Sequence, residues 1–180
     1  MKLSIIIQSS LFILFAVLSS CKKQEALSFD YHGMKSNLII QPGNVSSNGF
    51  EGVSKVYFNA DSLATANKFP KEALQSVSVN RIEFYLISGT DNLSLLNEVN
   101  GAVADTGKTN YSDIFTSDKV SSKNSTKMMV TGISQNIKDK VVSANYFSLK
   151  LKGLLSGQLN NPIVMEVRFT CAVTFRGPKL

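Results

Sequence analysis

Glu83 and Glu166 are the two carboxylates with the strongest claim on chemistry, because each stands on the polar side of an alternating apolar and polar run, two residues from Arg81 and Arg168. Two carboxyl groups at the right separation support glycoside hydrolysis. The plainer role for the same residues is a pair of surface acids neutralised by those arginines. His32 is the only histidine, so a Ser-His-Asp or Cys-His arrangement would have to use it. One histidine and two cysteines leave zinc short of ligands. Asp105, Asn110 and Asp113 lack the spacing of a helix-loop-helix calcium loop and read as a solvated turn. No phosphate-cradling glycine loop or dinucleotide fingerprint is present. The expectation is a non-catalytic chain with no cofactor and no metal.

A binding face is the next possibility. Sugar-binding surfaces commonly use exposed aromatics, and this chain has no tryptophan and five tyrosines. Tyr85 and Tyr146 fall opposite the apolar residues of their strands, which makes them the candidate exposed binding face. Packing under a loop or against a sheet edge is the competing role. The 19 basic and 13 acidic residues give a net charge of +6, but the cations are dispersed from Lys22 to Lys179. A nucleic-acid surface needs them clustered and interleaved with aromatics, so no nucleic-acid partner is expected.

The elements that would position these residues are mostly strands. From Met165 to Arg176, one face carries Met, Val, Phe, Cys, Val and Phe, and the other carries Glu, Arg, Thr, Ala, Thr and Arg. This period of two predicts a strand with one face in a core. Cys171 falls on the apolar face and reads as a small buried hydrophobe rather than a reactive thiol. Ser76–Ser88 predicts a second strand: Val77 and Val79 share a face, and Ile82, Phe84 and Leu86 resume the alternation one residue out of step. That slip predicts a bulge near Asn80-Arg81. Phe147, Leu149 and Leu151 mark a third strand, and the short link Ser156–Pro162 suggests that it forms an antiparallel hairpin with the last one.

Weaker signals fill the remainder. A first strand is expected near Leu38-Ile39-Ile40, another over Val53–Asn59, and a third from Glu98 onward. Lys127–Val130 suggests a short strand, and Ser121–Ser125 a polar loop. Asp61–Asn67 predicts one or two helical turns stopped by Pro70, and Ser134 is the expected cap of a short helix over Gln135–Val142. About seven or eight short strands with one or two short helices predict an all-β, two-sheet antiparallel β-sandwich, Ig-like or jelly-roll-like, with a barrel as the alternative. Phe84, Leu149, Phe169 and Val173 would fill its interior.

The N-terminal segment has a positive start at Lys2, an apolar run from Leu11 to Leu18, and small residues Ser19 and Ser20 before Cys21. A spanning helix needs about 20 mainly apolar residues, and Gln8, Ser9 and Ser10 interrupt this run. Leu18-Ser19-Ser20-Cys21 resembles a lipobox, the motif of bacterial lipoproteins whose cysteine is acylated after the signal peptide is removed. The resemblance implies a signal peptide over 1–20, lipid (palmitate among it) on Cys21, a tether over 21–35 and one sandwich domain over 36–180. It also implies that Cys171 has no disulfide partner within the chain. Lys22, Lys23 and Gln24 precede the first acid, Glu25, which favours the periplasmic face of an outer membrane over the cell surface.

Across residues 50 to 176, Phe58–Leu63, Val77–Ile87, Asn92–Leu96, Phe147–Leu151 and the closing strand follow one another in an order that is similar to the small lipid-anchored all-β envelope proteins of Bacteroidota. That group carries no assigned catalytic residues. The functional expectation is a lipid-anchored envelope module, attached to the membrane through Cys21, that binds an unidentified protein or glycan. The alternatives are an accessory subunit of a surface fibre or adhesin, and a glycan-active hydrolase using the strand carboxylates.

Overall fold

The computed structural model describes residues 24–42, 45–46, 49–89, 91–105, 109–142 and 144–180. Cys21 and the apolar run before it lie outside these residues. Two antiparallel five-stranded sheets face each other across one apolar core, so the architecture is an all-β sandwich. The first sheet has the order β1 (Glu25–Ile40), β10 (Ile163–Gly177), β4 (Leu74–Ser88), β8 (Lys127–Asn136) and β7 (Val120–Lys123). The second has the order β2 (Val45–Ser46), β3 (Gly49–Tyr57), β9 (Tyr146–Leu155), β5 (Leu96–Ala104) and β6 (Ser112–Phe115).

The strongest period-two signals are realised as expected. Met165, Val167, Phe169, Cys171, Val173 and Phe175 all point inward from β10 and are buried, as are Phe84 and Leu149 opposite them. Aromatic edges interlock the sheets: Phe147 of β9 meets Phe169 of β10 at 5.7 Å in a T-shaped contact. The slip in β4 is a bulge. Its register against β8 breaks between Val79 and Arg81, and β10 breaks opposite it, between Thr170 and Cys171. The extra residue, Asn80, lets Val79 and Ile82 both point inward although they stand three apart.

Several expectations are corrected. The stretch from Glu25 to Lys35 is not a tether: β1 is sixteen residues long and pairs with β10 from Glu25↔Gly177 to Ile40↔Ile163. Its pattern was hidden by a register shift between Tyr31 and Met34, which puts Leu27, Phe29 and Tyr31 in one phase and Met34, Leu38 and Ile40 in the other. The folded body therefore starts at Glu25, not at 36. Second, β9 and β10 are not a hairpin, because they are interior strands of opposite sheets. Alternation reports that one face is buried and says nothing of which neighbour supplies the hydrogen bonds. Residues 156–162 instead cross between sheets, held where the Ser156 N–H donates to the Leu95 carbonyl (2.8 Å) and the Asn160 and Asn161 N–H groups donate to Asp91 Oδ2 (2.8 and 2.7 Å).

Third, Ser121–Ser125 is mostly strand. β7 is polar because it is an exposed edge, and Asn124 closes its turn into β8 by accepting from the Thr126 and Lys127 N–H groups. Fourth, β8 runs through Ser134 to Asn136, so the second helix, α2, is shorter than expected (Lys138–Val142), and the Lys138 N–H donates to Asn136 Oδ1 at 3.0 Å. The first helix, α1 (Ala60–Ala66), starts one residue before the expected Asp61 and is capped by Asn59, whose Oδ1 accepts from the Ser62 N–H at 2.8 Å. It has ended before Pro70, which opens a single 3-10 turn over Lys71–Ala73. β5 starts at Leu96, two residues before the expected Glu98.

Candidate functional site

Glu83 and Glu166 do come together, on the outer face of the first sheet. β4 and β10 pair Glu83 with Arg168 and Tyr85 with Glu166, so the two acids are diagonal neighbours on one face. Lys127 of β8 donates to Glu83 Oε1 at 2.8 Å, the Tyr85 hydroxyl donates to the same oxygen at 3.1 Å, and Arg81 Nε lies 3.8 Å from Oε2. Arg168 Nε donates to Glu166 Oε1 at 2.5 Å. The Tyr85 ring is held between two cations, Lys127 at 4.8 Å and Arg168 at 4.6 Å from its centre. The plainer reading of the two acids, ion pairing with Arg81 and Arg168, is what the geometry realises.

The electrostatics of this face oppose acid catalysis by Glu83. Its side chain is 16% exposed, and the hydrogen bond from Lys127 holds its carboxyl below the usual range, outweighing the opposing effect of burial and reinforced by Tyr85 and the nearby charges of Lys127 and Arg81. A glycosidic general acid needs the opposite displacement. Because the folded carboxyl titrates lower than the unfolded one, its contribution is present above the unfolded pKa and is lost as pH falls through the folded value. Glu83→Gln should accordingly cost about 1–2 kcal/mol at neutral pH, and the gap from the parent should narrow as pH falls below the unfolded pKa. Denaturant titrations at pH 7 and pH 3 measure both.

His32 stands at the β1 irregularity, its Nδ1 3.2 Å from Thr170 Oγ1, which also accepts from Arg81 Nη2 at 3.3 Å. This is the one histidine-hydroxyl contact among the described residues. No carboxylate orients the ring among the described residues, and Thr170 is committed to a guanidinium, so the geometry lacks the third member that makes such a pair a catalytic unit.

Tyr85 and Tyr146 both face outward but do not share a surface, since β4 and β9 belong to different sheets. Neither ring is bare. Tyr146 is packed against Tyr57, directly opposite it on β3, with ring centres 5.6 Å apart, and Lys55 lies 5.1 Å from its centre. Tyr57, at 61% exposure, is the most open aromatic of the second sheet's outer face. It escaped notice because Gly52 and Ser54 face inward on β3 and blunt the alternation. Gly52 lets β1 come close there: a Cβ would lie 2.8 Å from Leu38 Cδ2 and 3.1 Å from the Ile39 carbonyl oxygen of β1. Ser54 donates to the Asn37 carbonyl at 2.7 Å, tying β3 to β1.

Elsewhere the acids are dispersed. Asp105 pairs with Lys140 at 3.5 Å and Asp113 with Lys152 at 4.0 Å, and no group of three or more His, Cys, Asp or Glu residues is placed to hold a metal among the described residues. Cys171 is fully buried and free. Desolvation, helped by the charge of Asp30, pushes its thiol up to about 12, which leaves essentially no thiolate at neutral pH. A cleft of about 360 Å³ opens between β6 and β8, with Ile114, Phe115 and Ile133 as its apolar wall and Asp113, Lys119 and Gln135 at its rim. No protein-family model and no curated protein sequence matches the chain.

Proposed function

We propose that this chain is a lipid-anchored protein of the bacterial cell envelope, a non-catalytic β-sandwich held on the periplasmic leaflet of an outer membrane, where it binds a protein or glycan. The observation that carries the reading is Leu18-Ser19-Ser20-Cys21 at the end of an interrupted apolar run. The fold is compatible with it, because the sandwich begins just after that motif and supplies its own complete core. Acyl chains on Cys21 would give attachment worth about 0.8 kcal/mol per buried methylene, and two or more chains make it stable. Cys21→Ser should abolish incorporation of labelled palmitate in cells and move the protein from the membrane to the soluble fraction. Continued labelling would refute the anchor.

A second reading, an accessory subunit of a surface fibre, is favoured by one feature. β1 lies at the edge of its sheet, and only its later half is tied to β3, by Ser54 and by Ser36, whose hydroxyl donates to the Lys55 carbonyl. Among the described residues no strand pairs with the outer edge of β1 from Ala26 to Tyr31, which is where a strand could add. Cross-linking in intact cells separates the readings: a ladder of multiples of this chain supports the fibre, and a single heterologous partner supports the binding module.

A further inference from the structure

The geometry of the first sheet's outer face points to a site for the acidic groups of a glycan, carboxylate or sulfate, ringed by His32, Lys35, Arg81 and Arg168. This names a ligand class for the non-catalytic binding module proposed above and rests on that reading, though not on the anchor. The first argument is register. Lys35 of β1, Arg168 of β10 and Glu83 of β4 stand side by side in one row across the sheet. Thr170 and Arg81 stand side by side in the next row, where His32 reaches Thr170 from β1. Directly opposite side chains have Cβ atoms about 5 Å apart and diagonal ones about 7–8 Å apart, so the four basic side chains surround the patch between the two rows.

The second argument is charge. Lys127 holds Glu83 at 2.8 Å and Arg168 holds Glu166 at 2.5 Å, whereas Arg81 comes no nearer to Glu83 than 3.8 Å. Lys35 is exposed and forms no ion pair among the described residues. The next acid along β1, Asp30, is level with Ala172, one row further on. Even when it is counted, the cations of this face outnumber its acids.

The third argument is that the donors are held in place and not used up. Thr170 is 9% exposed, and its Oγ1 accepts from Arg81 Nη2 at 3.3 Å and lies 3.2 Å from His32 Nδ1, which fixes both side chains over it. Arg81 spends one of its several N–H donors there, and its Nε, though buried, has no hydrogen-bond partner. Arg168 bonds Glu166 through Nε alone, which leaves its Nη groups unbonded among the described residues. A guanidinium with N–H groups to spare takes a carboxylate or sulfate in a bidentate manner, and donors already fixed lose less freedom on binding.

The surroundings favour a glycan over a protein. A protein contact needs an apolar centre, and in these two rows β1, β10 and β4 present no apolar side chain outward. Ile39, the exposed apolar residue of β1, stands four residues from Lys35, about 14 Å along the strand. Asn37, Ser78 and Thr131, which flank the site on the same face, offer amide and hydroxyl groups that suit sugar hydroxyls.

The test is calorimetry on the full chain in a neutral detergent at about 0.15 M salt, where charges further apart than about 8 Å are screened. The probes are tetragalacturonate for carboxylates, a sulfated galactan tetrasaccharide for sulfates, neutral cellotetraose, and hexaglutamate as an acidic peptide. At least one acidic tetrasaccharide should bind, the tighter one naming the group. Lys35→Gln and Arg168→Gln should each weaken it about tenfold, the loss of one charge-assisted contact. Lys55→Gln, which removes an exposed lysine from the outer face of the other sheet, should leave affinity unchanged. Lys35 makes no side-chain hydrogen bond or ion pair among the described residues, so Lys35→Gln should also keep the parent's urea midpoint. Chromatography of the recovered sugars reads the non-catalytic reading separately: a shortened tetrasaccharide would refute that reading, and an intact one would support it whatever the affinities. Four results would overturn the site: no binding of either acidic tetrasaccharide, equal binding of cellotetraose, tighter binding of hexaglutamate, or an equal loss in Lys55→Gln.

Discussion

Gly153→Ala is expected to destabilise the domain by about 3 kcal/mol or more, although it adds a single methyl group. Gly153 sits on β9 between β3 and β5, opposite Phe50 and Val99. The β5 register shifts between Leu96 and Glu98, which carries the Glu98 carbonyl over the glycine. A Cβ on Gly153 would lie 1.7 Å from that oxygen and 3.0 Å from Phe50 Cε1. A flexible side chain could swing away, but a paired backbone carbonyl cannot without breaking the ladder between β5 and β9. Gly157→Ala is the matched control, since a Cβ there meets only Leu95 Cδ2 at 3.5 Å, an ordinary contact. Urea unfolding should put the two variants far apart. Equal midpoints would mean that β5 does not run over β9 as described.

The second large effect is at Cys171. Cys171→Asp should cost about 3–4 kcal/mol at neutral pH, because the site is dry enough to push a thiol to about 12 and the charge acting on it is that of another acid, Asp30. The pH dependence has a defined sign. A carboxyl in this site titrates above its unfolded value, so the variant's deficit is smallest below about pH 4 and grows as pH rises through the unfolded pKa. Cys171→Ala, which leaves a small apolar gap, should cost about 1 kcal/mol at every pH. If the aspartate variant is as stable as the alanine variant at pH 7, position 171 faces water and the strand has been assigned the wrong face.

What could be read in the residues was the burial of single faces. β10, β4 and β9 announce themselves because large apolar side chains alternate with polar ones over much of their length, and even the β4 bulge shows as a change of phase. β1 did not, because its phase change at His32-Gly33 falls among medium-sized residues that are only partly buried before Met34. Pairing was not legible either. The hairpin expected between β9 and β10 failed because both strands line the same core from opposite sheets, a relation with the same alternation as direct pairing.

The candidate site divides along the same line. Glu83, Glu166, Arg81 and Arg168 could be grouped from their positions on adjacent alternating strands. Lys127, which makes the shortest contact to Glu83, comes from β8 and could be placed only once the order of the first sheet was known. Tyr57 was masked by small inward neighbours whose purpose, close approach of β1 to β3, is a tertiary fact. Separating Tyr85 from Tyr146 needed the knowledge of which strand belongs to which sheet.

The proposed lipid anchor fixes where the mature chain must begin. Intact-mass analysis of the protein extracted from bacterial membranes measures this directly. A polypeptide starting at Cys21 and heavier than residues 21–180 by the mass of a diacylglycerol with or without a further fatty acyl chain is the predicted result. A mature chain with an unmodified Cys21, or one that retains residues 1–20, would contradict it.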